Sequence, residues 1–275
     1  MIIRGGTPLY GTIDVQGAKN AALPVMAASI LLKGKRLALK KVPDLYDIHT
    51  MSDLLRHLGI TVEFKDNTMT IDVPDELSWD APAELVRKMR ASSLVLGPLV
   101  ARCGKAILPL PGGCVLGSRP IDFHLKGLAK MGAEIDLNKG SVYATAGRLR
   151  GERITLDYPS VGATENLMMA AALAHGVTYI ENAAMEPEIV NLADVLRLMG
   201  IPIKGDGTHT IRITGRPETG PAEAEIIPDR IEAATYLIAG IITKGSVTAR
   251  GIDSGLIDAI LLKLEEAGAK TDIML

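Results

Sequence analysis

The sequence is poor in aromatic residues and in cysteine, and it has no excess of charge of either sign. Only 3% of its 275 residues are Phe, Trp or Tyr, and two are cysteines. Two cysteines are too few for a disulfide framework, so we expect a reducing compartment, the cytoplasm. The 30 basic residues are balanced by 32 acidic ones, and no block of like charge stands out. This balance argues against a nucleic-acid-binding surface and against a charged disordered tail.

Long apolar segments are also missing. The longest apolar run, residues 21–32, is too short to span a bilayer and contains Pro24. The first six residues lack the apolar core and cleavage site of a signal peptide. With 47% hydrophobic and 23% charged residues, the chain is expected to be a soluble α/β protein that can bury a substantial core.

An internal repeat organises the sequence. Two series of glycines mark the repeat. The glycines of the first series lie between a helix-like segment and a strand-like run; they are Gly59, Gly132, Gly200 and Gly268. The glycines of the second series follow Ala- and Leu-rich segments, in phase with the first series; they are Gly34, Gly104, Gly176 and Gly245. Both series have a period of roughly 70 residues, and two independent markers with one period make chance a poor explanation.

Each repeat predicts a helix, a glycine cap, a strand, a second helix, a second cap and a hairpin. The hairpins are expected at residues 60–64 with 69–73, 133–137 with 141–145, and 201–204 with 210–214. Helices that recur with hairpins favour units packed around a shared centre over a doubly wound nucleotide-binding sheet. The fourth repeat stops soon after Gly268, where a return strand should begin. We therefore expect the front portion of a longer protein, although an engineered or naturally short version would have the same sequence.

Three stretches combine reactive side chains with backbone freedom. The first, residues 17–24, follows a predicted strand at 12–15 and contains Lys19, with Asn20 as a plausible N-cap of the next helix. A lysine at a helix N-terminus is unfavourable to the helix dipole unless an anion lies between them. Since lysines are usually solvated surface residues, this stretch alone is weak evidence for an anion site.

The second stretch is a proline- and glycine-rich loop around Cys114. Arg119 follows this cysteine, and Arg102 and Lys105 precede it. A nearby guanidinium would lower the pKa of the thiol, which suits a nucleophile or a proton donor. A small buried side chain is an equally good interpretation of Cys114, and it is the preferred one for Cys103 at a predicted helix end.

The third stretch precedes an apolar helix predicted to run to Ala174. Ser160 and Thr164 can cap that helix, whose first backbone amides would suit a phosphate or a diphosphate. A simple capping box is the plain alternative. Arg90 precedes another Ala/Leu-rich helix and is either aimed at an anion or a surface arginine.

Signatures of metal and nucleotide cofactors are missing, so we expect neither. The histidines show no metal-ligand spacing with the cysteines; they are His49, His57, His124, His175 and His209. The sequence contains no P-loop motif, and Gly205-x-Gly207 lies in a predicted hairpin without the context of a dinucleotide-binding fold.

Six motifs together resemble the UDP-N-acetylglucosamine 1-carboxyvinyltransferase (MurA) family of enolpyruvyl transferases. They are Gly17-Ala18-Lys19-Asn20-Ala21-Ala22, Met89-Arg90-Ala91-Ser92, Pro111-Gly112-Gly113-Cys114, Gly117-Ser118-Arg119-Pro120, Ser160-Val161-Gly162-Ala163-Thr164 and Glu181-Asn182-Ala183-Ala184-Met185-Glu186-Pro187-Glu188. The resemblance implies an inside-out α/β barrel of six units in two domains, of which four units are present. It implies a complete three-unit domain at residues 21–228, carrying the Cys114 loop. Residues 1–20 and 229–275 would be a truncated part of the second domain, which we expect to be loosely packed.

The same resemblance implies a reaction and a role for each matching residue. Enolpyruvyl would pass from phosphoenolpyruvate to the 3′-hydroxyl of UDP-N-acetylglucosamine with release of phosphate, the first committed step of peptidoglycan synthesis. Cys114 matches the proton donor to C3 and the target of fosfomycin, on a loop expected to close over the sugar nucleotide. Lys19 and Arg119 match groups that stabilise developing charge, and Asn20 matches a phosphoenolpyruvate-binding position. Positions that match the UDP-sugar site are Arg90, Arg119, Pro120, Ile121, Asp122, Phe123, Tyr158, Pro159, Ser160 and Val161.

One departure from the family keeps three hypotheses open. The family's general base, an aspartate, lies in a fifth unit that this sequence does not contain, and Asp229 and Arg230 do not replace it by any motif match. The chain could be an active transferase, a catalytically incomplete fragment that only binds the UDP-sugar, or a non-enzymatic scaffold. Packing alone requires none of the residues Lys19, Arg90, Cys114 and Arg119, so their joint presence argues against the scaffold.

Overall fold

A computed structural model describes residues 5–110 and 121–273 of the chain. The chain divides into two compact units: the larger is Lys19–Ile226, and the smaller combines Met1–Ala18 with Ile227–Leu275. Helices and strands alternate through both units, as the sequence predicts for an α/β fold. Among the helices of the described ranges, none is long and apolar enough to cross a membrane.

The elements follow one another in the order that the repeat predicts. They are β1 (Tyr10–Asp14), α1 (Lys19–Ala28), β2 (Lys35–Lys40), α2 (Tyr46–His57), β3 (Thr61–Lys65), β4 (Thr68–Val73), α3 (Ala83–Val86), α4 (Leu96–Cys103), β5 (Lys105–Pro109), α5 (Asp122–Lys130), β6 (Glu134–Asn138), β7 (Ser141–Thr145), β8 (Arg153–Thr155), α6 (Val161–Ala172), β9 (Val177–Glu181), α7 (Pro187–Leu198), β10 (Ile203–Lys204), β11 (Thr210–Thr214), β12 (Ala222–Glu225), α8 (Arg230–Ile242), β13 (Ser246–Arg250) and α9 (Asp258–Glu266). Short 3₁₀ turns lie at Ser29–Leu31, Arg90–Val95 and Ser254–Leu256.

Within the larger unit, three repeats build three sheets of one topology. The strand orders are β12-β2-β4-β3, β5-β7-β6 and β8-β9-β11-β10. In each sheet, the return strand of the hairpin pairs antiparallel with the first strand of its own repeat. The equal periods in the sequence therefore correspond to equal structural units.

The segment that leaves each repeat pairs in parallel with the next repeat. Strand β8 joins β9 of the third repeat, and β12 returns to β2 of the first. Between the first and second repeats the link is one bridge, in which Asp80 pairs with Ile107 on β5. The three repeats therefore form a closed ring.

The core of the larger unit is made of helices, and the sheets lie outside them. Every residue from Ala21 to Ala28 of α1 is buried, and so is every residue from Ala163 to Ala172 of α6. Helix α6 packs against both α1 and α4. The approach to α4 is close enough that a Cβ on Gly97 would lie 2.4 Å from the Asn166 carbonyl oxygen. This confirms the units packed around a shared centre that the repeat predicts and the inside-out α/β arrangement that the resemblance implies.

The predicted glycine caps are confirmed at five of the eight positions. Left-handed φ values close the helices at Gly59 (+95°), Gly104 (+70°), Gly132 (+95°), Gly200 (+93°) and Gly268 (+91°). Gly34 (+61°) and Gly176 (+99°) are also left-handed, but they are not caps, because the helical segments before them already end at Leu31 and Ala172. At the end of α8 the left-handed residue is instead Lys244, with φ +57°. Gly245 is required for another reason, since a Cβ there would lie 1.8 Å from the Leu9 carbonyl oxygen.

The hairpins lie within one or two residues of their predicted bounds. The first turns through Asp66 and Asn67, at φ +49° and +57°, and the second through Lys139 and Gly140, at +49° and +76°. Two consecutive left-handed residues are what a tight two-residue hairpin needs. The third hairpin has a longer turn, so its first strand, β10, is shortened to Ile203–Lys204.

The smaller unit contains less regular structure. Its sheet has two parallel strands, β1 and β13, with Tyr10 opposite Ser246. Helix α8 buries only Ala233, Ala234 and Gly240, and α9 buries no residue. Residues 269–273, where the repeat predicts a strand, have no regular structure. A β-strand needs a partner for its backbone groups, and in the described part of this unit none pairs with that segment.

Candidate functional site

Three of the predicted site residues lie outside the described residues. Cys114, Arg119 and Pro120 fall within 111–120, between the two described ranges. The site can therefore be assembled only from the other predicted positions and from the side chains that surround them.

The first turns of α5 and α6 bring several of the predicted UDP-sugar positions together. The ring of Phe123 meets the ring of Tyr158 edge to face, with centroids 4.6 Å apart and planes at 70°. The Lys126 ammonium lies 5.6 Å from the Phe123 ring centre and 3.7 Å from the Asp122 carboxylate. Ile121, immediately before α5, and Phe123 are buried, whereas Tyr158 is exposed. A planar ring with a half-exposed carboxylate beside it is suited to a heterocyclic ligand.

Helix α6 begins with a capped N-terminus. The Ser160 hydroxyl accepts a hydrogen bond from the Ala163 amide at 3.4 Å, which confirms its predicted capping role, and Pro159 before it is exposed. Thr164 is not a cap, because it lies inside the helix, where its hydroxyl accepts from the Ala184 amide at 3.1 Å. The first amides of an α-helix have no partner within the helix, so those at Val161 and the next residue can bind an anion.

A buried histidine lies between these two helix starts. The side chain of His124 in α5 is 4% exposed, and its Nδ1 atom lies 2.9 Å from the Asn166 amide nitrogen in α6. The pKa of His124 is lowered to about 4, mainly by burial and also by the charge of Arg90, whereas Asp122 opposes both. The charge of Arg90 therefore acts at the start of α5. The contact with Asn166 was not predicted, because the histidine spacing indicated nothing beyond the absence of a metal-ligand pattern, although His124 directly follows Asp122 and Phe123.

Lys19 is the first residue of α1 and forms an ion pair. Its ammonium lies 2.9 Å from a carboxylate oxygen of Asp47, in the first turn of α2, with side chains 38% and 29% exposed. Asn20 is exposed and lies inside α1, so its predicted role as an N-cap is wrong: the helix already starts at Lys19. The partner carboxylate was missed because nothing in the sequence near Asp47 indicates a contact 28 residues away.

Two carboxyl groups are buried in the larger unit: Glu165 near the start of α6 and Glu188 near the start of α7. Glu165 is 3% exposed, and its Oε1 atom is buried without a hydrogen-bond partner. Burial raises its pKa well above the usual range, and the nearby charges of Glu188 and Glu186 act in the same direction. Both effects favour the uncharged form of Glu165, as expected for a buried carboxyl group without a hydrogen-bond partner.

The cations upstream of Cys114 have partners elsewhere. Arg102 donates to the carbonyl oxygens of Ile30 at 2.8 Å and of Pro74 at 2.6 Å, and the Lys105 ammonium lies 4.1 Å from the centre of the Trp79 ring. Their roles are structural. Cys103 at the end of α4 is half-buried, and burial raises the pKa of its thiol.

The described residues thus form one group suited to an anion, which combines Arg90, the neutral His124 and the amides at the start of α6. The Lys19 ammonium is separate from this group, and Asp47 balances its charge. In residues 5–110 and 121–273, no cluster of three or more His, Cys, Asp or Glu side chains could hold a metal ion.

Comparison with known proteins identifies the family. The model of the family described as EPSP synthase (3-phosphoshikimate 1-carboxyvinyltransferase) matches residues 3–273. UDP-N-acetylglucosamine 1-carboxyvinyltransferase 1 of Halalkalibacterium halodurans is 50% identical over 272 residues, which are 98% of this chain and 62% of the relative. UDP-N-acetylglucosamine 1-carboxyvinyltransferase 2 of Carboxydothermus hydrogenoformans is 50% identical over 98% of this chain and 64% of the relative's length. UDP-N-acetylglucosamine 1-carboxyvinyltransferase of Desulfosudis oleivorans is 50% identical over 99% of this chain and 65% of the relative's length. These names confirm the predicted resemblance.

Solved structures give the same fold. The enolpyruvyl transferase NikO from Streptomyces tendae aligns with a TM-score of 0.87 at 26% identity, over 99% of this chain and 65% of its own. EPSP synthase from Acinetobacter baumannii aligns with a TM-score of 0.73 at 24% identity, over 98% and 61%. The chain thus spans less than two thirds of the length of these relatives and structures. Because the family model matches almost the whole chain, the protein belongs to the EPSP synthase family.

Proposed function

We propose that this protein acts in the transfer of enolpyruvyl from phosphoenolpyruvate to the 3′-hydroxyl of UDP-N-acetylglucosamine. The observation that carries the proposal is the convergence of predicted UDP-sugar positions at the starts of α5 and α6. Phe123 and Tyr158 lie in ring contact there, and Arg90 is near enough to His124 to lower its pKa. The names of relatives at 50% identity support the same substrate pair.

In the proposed binding mode, the sugar nucleotide lies along these helix starts. Asp122 and the Phe123 ring would contact the uracil, whose edge offers hydrogen-bond donors and acceptors. The diphosphate would accept from the amides at Val161 and would lie near the Arg90 guanidinium, with Ser160 holding the first turn in shape. Ile121, Pro120, Tyr158 and Pro159 would line the remaining wall.

The proposed reaction adds and then eliminates. The Cys114 thiol gives a proton to C3 of phosphoenolpyruvate, and the oxygen of the sugar 3′-hydroxyl bonds to C2 while its proton passes to water. Elimination then returns a proton from C3 to the Cys114 thiolate and breaks the C2–O bond to phosphate, so that the double bond is restored and inorganic phosphate leaves. Lys19 and Arg119 would stabilise the negative charge of the phosphate and carboxylate, and Asn20 would contact phosphoenolpyruvate. Asp47 keeps the Lys19 ammonium at the start of α1.

This activity places the protein in peptidoglycan synthesis, and through it in the maintenance of cell shape and in cell division. A cytoplasmic location is part of the proposal, since the low cysteine content is typical of a reducing compartment.

Phosphate release from phosphoenolpyruvate, measured with and without UDP-N-acetylglucosamine, tests the proposal. Release should require the nucleotide sugar, persist in Cys103→Ser and fall by about 10²-fold or more in Cys114→Ser, because only Cys114 is proposed to donate the proton. Equal rates in the two variants would contradict the role of Cys114.

Two further results separate the remaining hypotheses. Binding of UDP-N-acetylglucosamine without phosphate release would favour the binding-only alternative. The absence of both binding and phosphate release would contradict the proposed function. Fosfomycin should add once, to Cys114 and not to Cys103, whose thiol pKa is raised by burial. Mass spectrometry of the two serine variants after fosfomycin treatment would locate the adduct.

A further inference from the structure

The Asn166 side chain has one defined orientation. The Gly97 amide donates to the Asn166 Oδ1 atom at 2.6 Å, inside the contact between α4 and α6. Only an oxygen can accept from that amide, so the NH₂ group of Asn166 faces the other way. It faces the His124 Nδ1 atom, 2.9 Å distant.

This orientation fixes the tautomer of His124. The Asn166 NH₂ group can only donate, so Nδ1 must accept and carries no proton. The ring proton of the neutral imidazole is then on Nε2. Burial keeps the ring neutral, since it lowers the pKa of His124 to about 4.

The Nε2 edge of the ring faces the start of α6. A Cβ built on Gly162, the second residue of that helix, would lie 3.6 Å from Nε2 and 3.5 Å from Cε1. These are van der Waals distances, so this edge of the ring lies directly against the first turn of α6, next to backbone amides that have no partner within the helix. The only hydrogen-bond partner of the imidazole within the described residues is Asn166, on the opposite edge of the ring.

We propose that His124 is a ligand-binding residue that donates its Nε2 hydrogen to the diphosphate of the bound nucleotide sugar at the start of α6. This role rests on the proposed function and adds a residue to it. A neutral N–H donor there supplements the helix amides and the Arg90 charge without adding a buried cation. Asn166 acts behind it as a positioning residue.

Two substitutions of His124 separate binding from folding. In His124→Asn the amide oxygen can occupy the place of Nδ1 and still accept from Asn166, but no donor reaches the start of α6. In His124→Gln the amide NH₂ can occupy the place of Nε2, but the acceptor for Asn166 is lost. His57→Asn is a matched control, because His57 is an exposed residue at the end of α2.

Calorimetric titration of the 275-residue chain with UDP-N-acetylglucosamine, UDP and uridine tests the role. His124→Asn should melt close to the unaltered protein yet bind UDP-N-acetylglucosamine and UDP about 10- to 100-fold more weakly, which is the usual effect of losing a hydrogen bond to a charged group. Its affinity for uridine, which has no diphosphate, should be unchanged. His124→Gln should melt at a lower temperature but retain most of its affinity, and His57→Asn should change neither property.

The titrations distinguish failure of the His124 role from failure of the proposed function. If the unaltered chain binds UDP-N-acetylglucosamine and His124→Asn binds it equally well, the role of His124 is wrong and the proposed function stands. Equal loss of affinity in the Asn and Gln variants, in proportion to their loss of stability, would make the residue purely structural. No binding of either nucleotide by the unaltered chain would overturn both proposals.

Discussion

The larger and smaller units contain the same kind of inner helix but bury it to different extents. Helix α6 has every residue from Ala163 to Ala172 buried, whereas α8, which is also rich in apolar residues, leaves Ile242 74% exposed. The larger unit surrounds its inner helices with three sheets and further helices, and the smaller unit has one two-stranded sheet. The repeat sequence therefore determines that a helix forms, and the number of assembled repeats determines how much of it is buried.

The largest expected contrast is in backbone hydrogen exchange. Amides in the middle of α6 should exchange only on opening of the whole larger unit, whereas those of α8 and α9 should exchange by local opening, at rates about a thousandfold higher or more. Exchange resolved by peptide mass spectrometry measures both in one sample. Equal protection of α6 and α8 would contradict the loose packing expected for the smaller unit.

Matched truncations should give the next largest difference. Leu167→Ala, at a fully buried position of α6, should cost about 2–5 kcal/mol of unfolding free energy, because it removes apolar contacts and leaves a cavity. Ile242→Ala, at an exposed position of α8, should change the unfolding free energy by about 0.5 kcal/mol or less. Urea denaturation of the two variants measures these costs, and similar values would refute the difference in burial.

The acid sensitivity of the larger unit should depend in part on His124. Its folded pKa of about 4 lies below the ordinary histidine value of 6.5, so only the unfolded chain takes up this proton as the pH falls from 6.5 to 4. The folded state should lose roughly 3 kcal/mol over that range through this residue. The stability difference between the unaltered protein and His124→Asn should therefore change by that amount between pH 7 and pH 4. A pH-independent difference would mean that the imidazole is not held neutral.

Glu165 should show the opposite dependence on pH. Its folded pKa is raised by burial, so its contribution to stability is complete below about pH 4.5 and is lost as the pH rises through the folded pKa. Glu165→Gln removes this loss. The variant should therefore gain stability relative to the unaltered protein between pH 4.5 and pH 8, as measured by denaturation at both values. A constant difference would show that Glu165 ionises normally.

Periodicity made most of the larger unit predictable. Helix ends, strands and hairpin turns depend on residues close in sequence, so their glycines and polar turns could be placed within a residue or two. Gly245 was misassigned because its requirement comes from the Leu9 backbone, more than 200 residues away. Asn20 was wrongly predicted as the N-cap of α1, because the helix already starts at Lys19.

The candidate site was predictable only in part, for the same reason. The resemblance identified Arg90, Asp122, Phe123, Tyr158 and Ser160 one by one. It could not show that Asn166 fixes the proton of His124, since that contact joins helices 42 residues apart in the chain. Contacts across the ring of repeats carry no local sequence signal.

Hydrogen exchange with and without UDP-N-acetylglucosamine tests most directly whether the starts of α5 and α6 bind the nucleotide sugar. The account predicts slower exchange at residues 121–124 and 161–164 when the ligand is present, and unchanged exchange in the β3–β4 hairpin. Unchanged exchange at both helix starts under saturating ligand, or protection confined to other parts of the chain, would contradict it.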